Sequence, residues 1–218
     1  VILVGTTKFH QKINEVKELL PECCTAYKID IDRFKQRENN CLKKYLSSVK
    51  TVIVLAHHIK DSKEWIWTEM KSERNNCSCP ADLHTKDISR RVKAQLELKG
   101  YNSKVVPYPG ASGIRFKKIA EKTGMGEIGD NFLFLHSKWG PWVHLRVLLT
   151  EAEISGDQNN YNTQVCVHCG KCIEACPAEA LSENDFDIQS CRERQEEMNN
   201  SHSCEVCARV CPIGELPK

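Results

Sequence analysis

Residues 166 to 177 read Cys-Val-His-Cys-Gly-Lys-Cys-Ile-Glu-Ala-Cys-Pro, four cysteines separated by two, two and three residues with a proline directly after the fourth. No other stretch restricts the chain so strongly. Soft thiolates at these gaps can converge on one side of a cubane, and in this spacing three of them hold one 4Fe-4S cluster while the fourth reaches to a second. The second cluster needs ligands of its own. Cys191, Cys204, Cys207 and Cys211, with Pro212 behind them, repeat the order with the first gap widened to twelve residues. The ligand set is therefore Cys166, Cys169, Cys172, Cys176, Cys191, Cys204, Cys207 and Cys211, eight thiolates for two clusters. Structural zinc is the competing reading, but a tetrahedral zinc site takes its cysteines as two pairs, which this run does not offer. Gly170 lets the main chain come close to a cluster. Pro177 and Pro212 lack a backbone donor and turn the chain away from it.

Thirteen cysteines in 218 residues would suggest disulfides in a secreted chain. The cluster pattern instead requires reduced thiols, and so predicts a cytoplasmic protein of an anaerobic or microaerobic cell. The length suits a core of about 150 residues with a small appendage, and the polar run SGDQNNYNT from Ser155 to Thr163 is where they meet. The predicted division is 1–155 and 156–218. No stretch approaches a membrane span, and the apolar start at Val1 to Val4 is too short for a signal-peptide core. The formal charge of +2 falls to about −2 once two clusters are bound, so no nucleic-acid partner is expected. Lys86 to Lys99 and Lys117-Lys118 read as solvated faces.

Hydrophobic patterning predicts a layered α/β core. Expected strands are Val1 to Gly5, the apolar run Thr51 to Ala56, Lys104 to Val106, Phe132 to Leu135 and Val143 to Leu149. Those at 51–56, 132–135 and 143–149 are taken as central. Expected helices are Gln11 to Leu20, Arg33 to Leu46, Thr85 to Lys99 and Ile114 to Thr123. Cys23 and Cys24 have no partner at ligand spacing and read as packed or half-exposed thiols. His57 and His58 end a strand, where backbone usually satisfies them, with a ligand role as the sharper alternative. Trp65, Trp67 and Met70 read as packing. Cys77 and Cys79, with His84 nearby, lack a fourth ligand and read as an incidental loop. Gly124-Met-Gly-Glu-Ile-Gly129 contains G-x-G-x-x-G, but it follows a helix and opens a strand, the reverse of a dinucleotide fingerprint. The glycines are expected to let backbone pass close to a bulky ligand or cluster.

The run GMGEIGDNFLFLHSKWGPW, the strand ending LLTEAEI and the two cysteine motifs with the widened gap together resemble the epoxyqueuosine reductase and reductive dehalogenase superfamily. That resemblance implies an α+β chain: a nitroreductase-like layered core that binds cobalamin, followed by a ferredoxin-like module with two 4Fe-4S clusters. It implies that Cys166, Cys169, Cys172 and Cys211 hold one cluster and that Cys176, Cys191, Cys204 and Cys207 hold the other. Gly124, Gly126, Gly129 and Asn131 would face the corrinoid. The chain also departs from the pattern. Where epoxyqueuosine reductases carry a general-acid aspartate, Tyr108 to Gly113 holds no carboxylate, and the sequence stops at Lys218 without their helical-repeat tRNA-binding part. The dehalogenase branch has an export signal and a longer substrate region, which this sequence lacks.

Three functions follow. The chain is a corrinoid-dependent reductase, an electron-transfer protein that activates a separate corrinoid enzyme, or an iron-sulfur protein without corrinoid. The expected electron source is a ferredoxin or flavodoxin. Tyr108, His57, His58 and Glu127 are the candidate proton donors.

Overall fold

The structure is a computed structural model that describes residues 11–66, 68–69, 77–107, 110–111, 113–156, 164–198 and 204–218. Its centre is a four-stranded antiparallel sheet. The strands are β1 (Cys24–Asp30), β2 (Thr51–His58), β3 (Ser103–Val105) and β6 (Val143–Thr150), in the order β1-β2-β6-β3. β2 and β6 are apolar and centrally placed. Every residue of β6 is buried, and so is every residue of β2 before His58, as the continuous apolar run of β2 predicts for a strand covered on both sides, whereas β6 also buries His144 and Arg146, which pair with Asp82.

Helix α3 (Pro80–Leu98) covers one face. Ile88, Val92 and Leu96 recur at four-residue spacing and pack with Ala26, Ile53, Leu55 and Leu148. α1 (Ile13–Lys17) adds Ile13 and Val16 to that layer. The other face carries α2 (Gln36–Tyr45) and α4 (Phe116–Lys122), whose Leu42, Phe116 and Ile119 pack with Val52, Val54, Leu145 and Val147. A hairpin of β4 (Gly126–Ile128) and β5 (Phe134–His136) follows α4. Among its described residues the cysteine-rich segment adds the helices α5 (Lys171–Glu174), α6 (Ile188–Glu197) and α7 (Val206–Arg209). Among the described residues no helix is long and apolar enough to cross a membrane.

The mixed α/β reading stands, with corrections of detail. The expected strand at Phe132 to Leu135 is real but begins at Phe134, and it pairs with β4 outside the four-stranded sheet. Phe132 takes a positive φ of 54° and donates its N–H to the Gly129 carbonyl, so the chain is still turning there. β1 was not expected. Its alternation is interrupted by Lys28, whose aliphatic stem is buried while its ammonium pairs with Asp30 at 3.1 Å, so the strand does not look apolar from sequence. α3 starts five residues earlier than predicted, because Pro80 sits in the first turn, where its missing N–H costs nothing. The expected strand at 1–5, together with Trp67, Met70 and Tyr108, lies outside the described residues.

Candidate functional site

The eight motif cysteines gather at two cavities. Cys166, Cys169, Cys172 and Cys211 line the first. Cys176, Cys191, Cys204 and Cys207 line the second, a space of about 590 Å³ that also meets Lys117, Phe132 and Trp142. Local structure explains the exchange of fourth cysteines. Gly170, at φ 74°, opens α5, which carries Cys172, and the turn after it brings the Cys176 N–H to the Ile173 carbonyl at 3.2 Å. α7 repeats this arrangement, carrying Cys207 and bringing the Cys211 N–H to the Ala208 carbonyl at 3.3 Å. α5 packs against α7. Each short helix therefore places its own cysteine in one cavity while the cysteine beyond its end reaches the other.

The thiols suit a cationic centre. Burial first, then the neighbouring Cys204, Cys191 and Cys176, push the Cys207 thiol up to about 12. Burial is also the leading cause that raises Cys172, Cys191 and Cys211. Thiolates this crowded resist forming together unless positive charge accompanies them, and the iron ions of a cubane supply it. The donor sets thus fit two 4Fe-4S clusters.

The core holds this segment by specific contacts. Glu127, in β4, accepts hydrogen bonds from the backbone N–H of Val165 and Cys166 at 2.5 and 2.6 Å. His168, at φ 50°, bonds Asp130 through Nδ1 at 2.9 Å. Lys117 donates to the Phe132 carbonyl at 2.7 Å beside the second cavity. A Cβ on Gly140 would collide with the Ile213 carbonyl, and one on Gly214 with the Trp139 carbonyl, so two glycines let the C-terminal strand of chain lie against the core. The Arg209 guanidinium lies over the Trp142 ring at 5.8 Å, and Trp65 meets the same ring edge-on.

The glycine segment lies where its sequence context put it, between helix α4 and a hairpin. Gly124 follows α4, Gly126 is in β4, and Gly129 and Asn131 lie in the turn. The close approach that Gly126 and Gly129 permit is to Leu135 of their own hairpin: its carbonyl leaves no room for a Cβ at Gly126, and its side chain crowds one at Gly129. Asn131 lines both cysteine cavities.

The candidate proton donors separate. His57 is buried, and its Nε2 is 2.6 Å from Glu64 rather than bonded to backbone. His58 lies on the opposite face and stacks on Trp139 with centroids 5.1 Å apart. Glu127 is engaged with Val165 and Cys166. Cys79 is buried ahead of α3, its thiol pushed up by burial to about 11. Cys23 and Cys24 are half-buried, as read from sequence, and His84 groups in space not with Cys79 but with Cys23, Cys24 and His57. Sequence spacing could not reveal that grouping, which depends on the register of β1 against β2. Lys117 was read only as part of a solvated face, and Asp130 and Trp142, though inside the run from Gly124 to Trp142, were not assigned a role, since all three acquire meaning only beside the cysteines.

Comparison with known proteins agrees with this geometry. A model of the 4Fe-4S binding domain matches residues 160–182. The epoxyqueuosine reductase of Aliivibrio fischeri is 28% identical over 142 residues, covering 58% of this chain and 37% of that protein. The matches to curated relatives span less than half of those relatives' length. An epoxyqueuosine reductase solved with an epoxyqueuosine-modified tRNA-Tyr stem loop superposes with a TM-score of 0.66 at 17% identity, covering 92% of this chain and 63% of that one. A catabolic reductive dehalogenase in complex with 3-bromo-4-hydroxybenzoic acid gives 0.59 at 17% identity, covering 78% and 26%. The shared sequence, the shared fold and the cysteine pattern support the resemblance of the chain to the epoxyqueuosine reductase and reductive dehalogenase superfamily.

Proposed function

We propose that the chain is an iron-sulfur oxidoreductase, taking single electrons from a low-potential donor such as ferredoxin or flavodoxin and passing them through two 4Fe-4S clusters to an acceptor held by the core. The observation that carries this reading is the exchange of Cys176 and Cys211 between the two cavities, which makes the cluster sites neighbours. When bound, such clusters supply one-electron transfer at potentials that can be strongly reducing. In this reading residues 156–218 carry the electrons and residues 1–155 form the acceptor-binding, nitroreductase-like core. Glu127 fixes the start of the cysteine run, Asn131 lies between the two sites, and Lys117 sets a cation beside the second.

The acceptor in this proposal is a corrinoid, taken from the superfamily and located near Gly124 to Asn131, where it acts on a small substrate or serves a partner protein. A second reading is favoured by the curated relatives and by the tRNA-bound neighbour: the final substrate is the epoxide of a modified tRNA nucleoside. The expectation of no nucleic-acid partner stands against that neighbour. Removing an epoxide oxygen as water takes two electrons and two protons, which suits two successive single-electron deliveries. A carboxylate proton donor would then lie elsewhere than Tyr108 to Gly113, where Tyr108 is the candidate donor.

The test is anaerobic reconstitution with iron and sulfide, followed by reductant titration with cobalamin or with an epoxyqueuosine-bearing stem loop. About eight irons per chain, and cobalamin reduced only when the clusters are present, support the corrinoid reading. Conversion of the stem loop supports the tRNA reading. Four irons or fewer, or full iron with neither acceptor reduced, overturns the proposal.

A further inference from the structure

We propose that Cys23, Cys24, His57 and His84 form a zinc site, separate from the iron-sulfur cysteines, that fastens the edge strand β1 and helix α3 to the end of β2. The proposal does not depend on the function assigned above.

The sheet builds the site. Cys24 begins β1 directly opposite His57 on β2, so both side chains leave the same face. The Cys23 carbonyl accepts the His58 N–H at 2.8 Å, which holds the turn before β1 against β2. α3 covers this face and brings down His84 from its first turns, with the His57 and His84 ring centroids 5.0 Å apart. One donor atom from each of the four residues falls within 4.8 Å of all the others. The two sulfurs are 3.9 Å apart, and Cys24 Sγ is 3.2 Å from His57 Nδ1. Tetrahedral zinc at its usual bond lengths separates such donors by roughly 3.3 to 3.8 Å, so small side-chain shifts close the shell.

The surroundings also point to a cation. His57 Nε2 is 2.6 Å from Glu64 Oε2, which assigns its proton to that nitrogen and leaves the Nδ1 lone pair facing the cysteines, the arrangement in which a carboxylate orients a metal-bound histidine. Glu64 is itself fixed, because its other oxygen accepts from the N–H of Lys60 and Asp61 at 3.0 and 3.1 Å. Burial lowers the His57 pKa in spite of Glu64. Burial first, then the adjacent Cys23, raises the Cys24 thiol. Two thiolates and two neutral imidazoles balance a divalent ion, with two thiol protons released on binding. Soft sulfur and imidazole donors in a four-coordinate set select zinc.

The experiment uses the full chain with its clusters loaded, prepared without oxygen, given equimolar zinc and dialysed. The expected result is one zinc per chain beyond the iron, with a zinc X-ray absorption shell of two sulfurs and two nitrogens. His84→Ala and Cys24→Ser should each lower retained zinc at least tenfold while iron content stays unchanged, and Glu64→Ala should weaken zinc affinity about 10- to 100-fold. His84 is exposed, so its replacement reads the site even where Cys24→Ser disturbs folding. No retained zinc, a shell of four sulfurs, zinc content indifferent to both ligand variants, or a Cys23–Cys24 disulfide in the anaerobic protein would overturn the proposal.

Discussion

The sheet core and the cysteine segment are held together by different physics. In the core, β2 and β6 bury almost every side chain, and α3 and α4 close both faces with aliphatic stripes. In the segment from 164 onward, α5 and α7 are four residues long, α6 buries none of its ten, and among the described residues the buried apolar side chains are few: Cys172, Ala180, Leu181 and Ala208. Helices this short are not stable by themselves. The core folds because it removes apolar surface from water, whereas the cysteine segment needs its ligands to be drawn together by metal. Core and segment can therefore be destabilised separately.

Removing the metal gives the sharpest contrast. Stripping iron with a chelator should collapse amide-exchange protection across 164–198 and 204–218 while Thr51–His58 and Val143–Thr150 keep theirs, since metal binding supplies the folding free energy of such segments. Loss of protection in both regions together would mean that the core depends on the clusters. Next in size is Cys176→Ala, which should cost about half the iron, with the surviving resonance signal that of the cluster held by Cys166, Cys169, Cys172 and Cys211. Equal damage to both signals would deny the exchange of fourth cysteines. Leu55→Ala attacks the other side of the comparison: it should lower core stability by about 2–5 kcal/mol in denaturant melts and leave the iron count unaltered. Glu127→Ala is the smallest change and acts where the two regions meet. It leaves the N–H groups of Val165 and Cys166 without their acceptor, at a cost of about 1–3 kcal/mol, read as faster iron loss and faster exchange at 164–166 with no shift in the core melt.

The sequence made parts of this legible for plain reasons. Val52 to Ala56 is apolar without interruption, which leaves little but a strand covered on both faces, and Val143 to Leu149 is mostly apolar although His144 and Arg146 interrupt it. Ile88, Val92 and Leu96 share one side of a helix. β1 was hidden by Lys28 and by the two cysteines at its start, because an edge strand with one mixed face carries no such run. Phe132 was placed in a strand because its apolar neighbours suggested one, and only the backbone shows that it still belongs to the turn.

The convergence of Cys166, Cys169 and Cys172, and of Cys204 and Cys207, is legible in the sequence because those gaps lie within one turn or one short helix, whereas Cys191 and the crossing of Cys176 and Cys211 reach their cavities through the fold. The grouping of Cys23, Cys24, His57 and His84 is not legible there, since its members are up to 61 positions apart and meet only when β1 pairs in register with β2 and α3 closes over both. The same holds for the docking of Glu127 onto Val165 and Cys166, which follows no local rule. Short-range spacing is written in the chain because covalent geometry limits it, whereas long-range convergence is decided by strand register and helix packing, which the burial of the whole core selects.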